Sequence, residues 1–468
     1  MFAALNSFLT RLGKITDPYW PYVSMLLHGD GTNAAQNNTF LDGSTNNFTV
    51  TRNGNTTQGS FNPFVSTYPY SVATNGGSAY FDGTGDYLTV PDNAAFTLGS
   101  NAFTVECWIY PTTSGTIGYF AGQDDVSNVA PSIFLRKTSA DIIQAVAYQT
   151  SAYTTSAASA IAINAWSHIA YVRESGGTFR LYINGIQAGT NVALSGAIDD
   201  ASGVFGVGSA GAWVSAGTFA GYISNFRLVN GTCLYPSGTT FTPPTAPLTA
   251  VTNTALLLGM SNAAIFDNAI LNNLETVASA QISTSVFKYG TGALKFNGTT
   301  DYLSTPAKTV FNLGASDFTI EMWVYFNSLA NSPVFCAQQN SAASVLSFSF
   351  TMNTTGRLTT TVQDSSSAYK NINSTVGAIV INTWYHVAFV RDGNTNRQYI
   401  NGVQTGSVGV TGFTVRTSTD ILGIGSSAYA AQYLNGYIDD FRFTKGICRY
   451  PSGTTFTPPT AAFPNSGP

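Results

Sequence analysis

The chain is one domain written twice. The twelve residues YPSGTTFTPPTA occupy 235–246 and recur unchanged at 450–461. Ahead of each copy the same landmarks follow in the same order. FDGTGDYLTVP (81–91) answers to FNGTTDYLSTP (296–306), and FTVECWIY (103–110) to FTIEMWVY (318–325). INAWSHIAYVR (163–173) answers to INTWYHVAFVR (381–391), and GYISNFR (221–227) to GYIDDFR (436–442). A period of roughly 215 residues is far too long for a solenoid repeat of about 20–50, so whole domains stand in tandem. Any function must make sense when duplicated.

Units of this size bury a full core without disulfides or metals. Hydrophobic residues make up 44% and aromatics 13%, which supplies two cores and argues against disorder. Charged residues are only 9%, the net charge is −4 and there is no basic run, so nucleic acid finds no electrostatic footprint. No apolar stretch reaches the length of a membrane span. Cys233 and Cys448 are equivalent, Cys107 corresponds to Met322, and Cys336 has no clear counterpart. One shared cysteine per copy builds no intradomain bridge, and all four read as small buried hydrophobes.

Nearly every segment reads as strand. In FTVECWIY, Phe103, Val105, Cys107 and Ile109 alternate with Thr104, Glu106, Trp108 and Tyr110. Asn184-Gly185 and Asn401-Gly402 each sit between short apolar runs, the signature of a type I′ hairpin. Gly, Asn, Ser and Pro clusters space the strands, which predicts all-β antiparallel sandwiches. Each copy opens on an apolar strand, VSMLLH (23–28) or TALLLG (254–259), and ends on GYI-x-x-FR and a proline-rich tail. The prolines hold the first tail extended as a linker. The expected domains are therefore 21–249 and 250–468, preceded by a lead-in over 1–20. Within that lead-in Phe2, Leu5, Phe8, Leu9 and Leu12 share a helical face, which predicts a short amphipathic helix that docks on its own domain or on a partner. Its basic residues, Arg11 and Lys14, follow the apolar residues, unlike a secretion signal.

These landmarks resemble the concanavalin A-like lectin/glucanase superfamily in its laminin-G-like (LamG) branch. The resemblance rests on FDG-x-x-DYL-x-x-P, F-T-x-E-x-W, W-x-H-[IV]-A-[YF]-V-R, the Y-I-N-G hairpin and G-Y-I-x-x-F-R, and implies two jelly-roll sandwiches. The opening, residues 17–54, is similar to openings of LamG-bearing virion proteins of tailed bacteriophages. That likeness implies a non-enzymatic fibre, decoration or adhesion component located in the virion and made in the host cytoplasm. Its implied partners are other virion proteins, a host-surface glycan and further copies of itself as a homo-oligomer, with the helix as anchor. A purely architectural spacer is the alternative reading, and a glycan-cleaving enzyme a third.

Glucanases of this superfamily need two carboxylates on one strand face. Here Glu106 and Glu321 stand alone, followed on their face by Trp108 and Trp323, so they read as acceptors for buried donors. His168 and His386 lack a nucleophile or zinc-type spacing and read as core histidines. No cofactor is required. Calcium is the metal the resemblance implies, with Asp86 and Asp301 as candidate ligands against the alternative of Asx-type turns. Sugar binding needs aromatic platforms ringed by amides. The candidate contacts lie where the copies diverge: Trp213, Tyr119 and Tyr148 in the first, Tyr429 and Gln338 in the second.

Overall fold

The computed structural model describes residues 16–41, 44–64, 71–124, 131–211, 217–236, 238, 240–263, 274–340, 345–427, 432–451 and 453–467. The helix expected near the N-terminus lies outside these residues. Among them, helix is confined to the single turn Val72–Asn75 and three-residue 3-10 turns. The rest of the regular structure is antiparallel strand, in two compact units.

The N-terminal unit comprises residues 36–266 and 272–275. Its nine-stranded sheet runs Ile186–Gln187, Thr178–Ile183, Ser167–Arg173, Phe103–Pro111, Ala220–Asn230, Ser78–Asp82, Thr57–Gly59, with Val192–Ala193 beside Thr178–Ile183 and Thr254–Leu258 beside Ala220–Asn230. A seven-stranded sheet faces it, in the order Ser151–Ala160, Ile142–Gln149, Ile133–Lys137, Gly118–Gln123, Phe205–Val207, Tyr87–Val90, Thr51–Asn53. The period-2 alternation sends Phe103, Val105, Cys107 and Ile109 into the layer between the sheets, among Tyr171, Ile223, Leu228 and Phe120. Each such side chain contributes about 1.5–3 kcal/mol by leaving water.

The C-terminal unit comprises, among the described residues, those from 16–35 and from 276 onward, and repeats the plan. Its eight-stranded sheet runs Gln281–Ser283, Ala293–Asn297, Asn435–Lys445, Phe318–Ser328, Trp384–Asp392, Thr395–Ile400, Val403–Gly409, with Val23–Leu27 beside Asn435–Lys445. The seven-stranded sheet is Glu275–Val277, Tyr302–Thr305, Leu422–Ile424, Val334–Gln339, Leu346–Met352, Leu358–Gln363, Tyr369–Asn373.

Strand pairing divides the chain differently from the sequence repeat. Val23–Leu27, which opens the first copy in sequence, pairs with Asn435–Lys445; Thr254–Leu258, which opens the second, pairs with Ala220–Asn230. A bulge in each long strand opens the edge that the exchanged strand takes. Asn225 and Asp440 both adopt positive φ (52° and 48°). Before this bend the long strand pairs with Ser78–Asp82 or Ala293–Asn297, and after it the same edge is free for the exchanged strand.

The Asn-Gly hairpins form as expected, with φ of 50° and 75° at Asn184-Gly185 and 48° and 76° at Asn401-Gly402. Both glycines have a second reason to lack a side chain. Phe241 N donates to Gly185 O at 2.7 Å and Phe456 N to Gly402 O at 2.8 Å, which lays the tail against the hairpin. A Cβ at either glycine would run into the Phe241 or Phe456 carbonyl oxygen. Gly402→Ala should therefore cost about 1–3 kcal/mol and release the tail. A lowered thermal midpoint with faster proteolysis between 446 and 460 would report it; an unchanged tail would contradict it.

Candidate functional site

The shared residues build a closed polar knot outside the core. Glu106 is fully buried. Its Oε1 accepts from Arg227 Nε at 2.9 Å and Nη2 at 2.5 Å, while Oε2 accepts from Tyr235 Oη at 2.7 Å and lies 3.2 Å from His168 Nε2. The second copy repeats every contact. Glu321 takes Arg442 Nε at 3.0 Å and Nη2 at 2.7 Å, Tyr450 Oη at 2.5 Å and His386 Nε2 at 3.2 Å. Burial alone would raise both carboxyls. The His168 hydrogen bond and the Arg227 charge hold Glu106 below the usual range, and chiefly the Arg442 charge holds Glu321 well below it. With both oxygens occupied inside a packed layer, neither carboxylate can reach a glycosidic bond. Arg227 and Arg442 escaped the sequence reading, although an arginine repeated in a buried strand demands an equally repeated acid.

The identical tails explain themselves here. Tyr235 stacks on Phe241 with centroids 3.8 Å apart, and Tyr450 on Phe456 at 3.6 Å. Each pair packs on the outer face of the larger sheet, over Ala170, Val172 and Tyr182 or over Ala388, Val390 and Tyr399. Beyond the first tail Phe61 covers the same face, 5.1 Å from Tyr110, 4.8 Å from Tyr222 and 5.2 Å from Trp166. Cys233 and Cys448 lie half-buried near the tails with thiols pushed by burial up to about 11, whereas Cys107 and Cys336 are in the cores; all four are free.

The seven-stranded sheets differ on their outer faces. In the first sandwich Tyr119, Arg136, Gln144 and Ser156 stand opposite one another on four successive strands. Arg136 Nη1 donates to Tyr119 Oη at 2.8 Å, and Nε and Nη2 donate to Gln144 Oε1 at 3.0 and 2.8 Å. Beside this row Phe134, Val146 and Tyr148 form an apolar cluster with Tyr119, onto which the loop residue Ala210 packs. The guanidinium of Arg136 lies 5.5 Å from the Phe134 centroid and 5.6 Å from that of Tyr119. At the equivalent register the second sandwich carries Ser349, Thr351, Thr359 and Thr361, with Asn371 and Asn373 alongside. The row ends at Ser156, one residue from Ala157. Ala157 lines a groove of about 460 Å³ that also takes in Ala162, Trp166, Asn184, Ile186 and Ala188. At Ala162 and Ala188 the second copy has Val380 and Thr405.

The expected contact residues are sorted by these positions. Tyr148 is half-buried on the outer face and Tyr119 is 2% exposed beneath the same cluster. Tyr119 is thus a support for Arg136 and not an open platform. Gln338 is wholly buried and donates to Asp420 O at 3.0 Å, so it braces a loop and meets no solvent. Sequence could not separate these, because a bulge inside Gly118–Gln123 and another in Val334–Gln339 shift which residues face out. Trp213 and Tyr429 lie outside the described residues.

Calcium does not fit Asp86 or Asp301. Asp86 accepts from Asn55 N at 2.7 Å and Asp82 N at 3.0 Å, and Asp301 from Ser279 N at 2.9 Å and Asn297 N at 3.0 Å. Both are buried turn clamps whose oxygens already serve backbone donors. Asp92, the nearby acid, accepts from Gln123 at 2.8 Å. Among the described residues no three metal-binding side chains gather, and no helix is long and apolar enough to cross a membrane.

Among curated proteins, none matches this chain in sequence. Solved structures that align with it include the binding domain of Paraclostridial Mosquitocidal Protein 1, at 15% identity over 39% of this chain and 47% of that one, TM-score 0.33. The Botulinum neurotoxin serotype G binding domain aligns at 16% over 40% and 46%, TM-score 0.32. The chain thus spans about half the length of these two. Mouse laminin alpha1 domains LG4-5 align at 10% over 87% of this chain and 97% of that one, TM-score 0.29. The Laminin_G_3 model matches once in each sandwich, at residues 82–234 and 297–447, and with that duplicated match the chain belongs to the concanavalin A-like lectin/glucanases superfamily.

Proposed function

We propose that this is a non-enzymatic structural and adhesion protein of a tailed-bacteriophage virion, in which the N-terminal sandwich recognises a glycan. The observation that carries the recognition is the divergence of one face on an otherwise duplicated scaffold. The first copy sets Arg136, Gln144 and Ser156 beside half-buried Tyr148, donors and an aromatic ring of the kind a pyranose takes, while the second sets hydroxyls and amides. The likeness of residues 17–54 to phage virion proteins supports the setting. The buried state of Glu106 and Glu321 supports binding without cleavage.

A glycan array that includes bacterial envelope polysaccharide tests this with the intact chain. Tyr148→Ala and Arg136→Ala should each weaken binding roughly tenfold or more, equivalent to about 1.4 kcal/mol per decade. Ala162→Val with Ala188→Thr imports the second copy's residues and reports whether the groove takes part, and Trp213→Ala tests the loop. An intact chain that binds no glycan would leave the architectural reading in place. Release of reducing ends would overturn the non-enzymatic one.

A further inference from the structure

Val23–Leu27 and Thr254–Leu258 perform one task in two sandwiches. Leu258, Leu257, Leu256 and Thr254 stand opposite Phe226, Arg227, Leu228 and Val229. Leu27, Leu26, Met25 and Val23 stand opposite Phe441, Arg442, Phe443 and Thr444, with the same irregularity before the last pair. Their attachment differs. Thr254–Leu258 follows its neighbour through one linker, 231–253, whereas the strand ending beside His28 comes from 412 residues before Asp440.

The second sandwich holds its strand with side chains that the first lacks. Asp17, 2% exposed, accepts from Arg442 Nη1 at 3.1 Å and from Arg449 Nη1 and Nη2 at 2.9 and 2.8 Å. Arg449 occupies the position of Leu234 in the first copy. At the strand's other end His28 Nδ1 lies 2.6 Å from Asp440 Oδ1, where the first copy has Asn225. Between them Trp20, Val23 and Leu26 pack on Phe463, and Asp17 N donates to Ser466 O at 2.8 Å. An ion pair at one end, the His28–Asp440 hydrogen bond at the other and an aromatic anchor between them define a receptor that recognises this strand by chemistry, without covalent continuity. Left empty, it would expose an unpaired edge from Phe441 to Thr444.

We propose that this receptor also takes residues 17–35 of a second copy, giving a homodimer in which each chain's Val23–Leu27 closes the other's C-terminal sandwich. Exchange keeps every contact of the closed chain, so concentration alone selects between the two arrangements.

A disulfide trap separates them. Leu27→Cys with Phe441→Cys places thiols on directly opposed residues, within the Cα separation a disulfide needs. Cys233→Ser and Cys448→Ser keep the half-buried native thiols out of the reaction. Refolded and oxidised at rising concentration, this variant should give a growing fraction of covalent dimer of doubled mass. The matched pair Leu258→Cys with Phe226→Cys should stay monomeric at every concentration. If both variants close only within one chain, the proposal is overturned. Should the cysteine variant fail to fold, light scattering on the unaltered chain decides. A dimer that appears on refolding at high concentration and returns to monomer only after unfolding supports exchange, and a monomer throughout overturns it.

Discussion

Glu321→Ala should destabilise the C-terminal sandwich by about 3–5 kcal/mol, the usual cost of leaving one partner of a buried ion pair behind. The loss is compound. Arg442 keeps Asp17 but loses its bidentate acceptor, and Tyr450 and His386 lose theirs, all within a layer sealed by the tail. Glu106→Ala should behave alike in the first sandwich, where Arg227 would keep Thr249 O but lose its carboxylate. Because the cost is mostly that of the abandoned charge, Glu321→Leu combined with Arg442→Met should be milder than the sum of the two single changes. Chemical denaturation of the two single variants, the double variant and the parent chain measures this. Additive losses would mean the pair is not coupled as its geometry implies.

The second large effect is a stability that falls as pH rises from mildly acidic to neutral. Asp439 is 1% exposed, and burial pushes its carboxyl from 3.8 up to about 7, against N–H donation from Tyr289, Lys288 and Asp440. The folded state therefore holds this proton more tightly than the unfolded one. The resulting stabilisation is complete below 3.8 and is lost as pH rises through about 7. Its ceiling is roughly 4 kcal/mol, since each tenfold gain in proton affinity is worth about 1.4 kcal/mol. Glu321 acts with the opposite sign: its carboxyl is depressed, so its contribution is present above 4.5 and lost on acidification. Between 4.5 and 7 the slope belongs to Asp439 and, up to about 6, also to Asp86, whose carboxyl burial pushes up from 3.8 to about 6. Urea midpoints across that window should decline in the parent chain and decline less steeply in Asp439→Asn, most clearly between 6 and 7 where Asp86 has already titrated; an equally steep variant would refute the assignment.

Local signals were legible and remote ones were not. The alternation of Phe103, Val105, Cys107 and Ile109 fixes one strand's faces without knowledge of its neighbours, and Asn184-Gly185 specifies its turn by backbone sterics alone. The repeat also showed that Glu106 and Glu321 share one environment, and the lack of a second carboxylate foretold their structural role. Nothing in VSMLLH reveals that its partner is FRFT near the other end of the chain, because an edge strand's apolar pattern suits either sandwich. Tyr119 and Gln338 failed as surface contacts for a related reason. Facing is set by bulges, and bulges leave a weak trace in sequence.

Strand exchange also reverses the usual order of folding during synthesis. Val23–Leu27 is made long before its partner strand, and its site is complete only when Lys445 has emerged. At about 5–20 residues per second the interval is on the order of half a minute or more. Throughout it, an apolar strand without its own edge must avoid every other edge, including that of the first sandwich, which stays open until Leu258 arrives. The two strands present nearly the same face to nearly the same groove, so the first sandwich can capture the wrong one. Asp17 and His28, which find Arg449 and Asp440 only in the second, give the correct pairing its advantage. Asp17→Ala and His28→Ala should therefore lower folding yield as well as final stability.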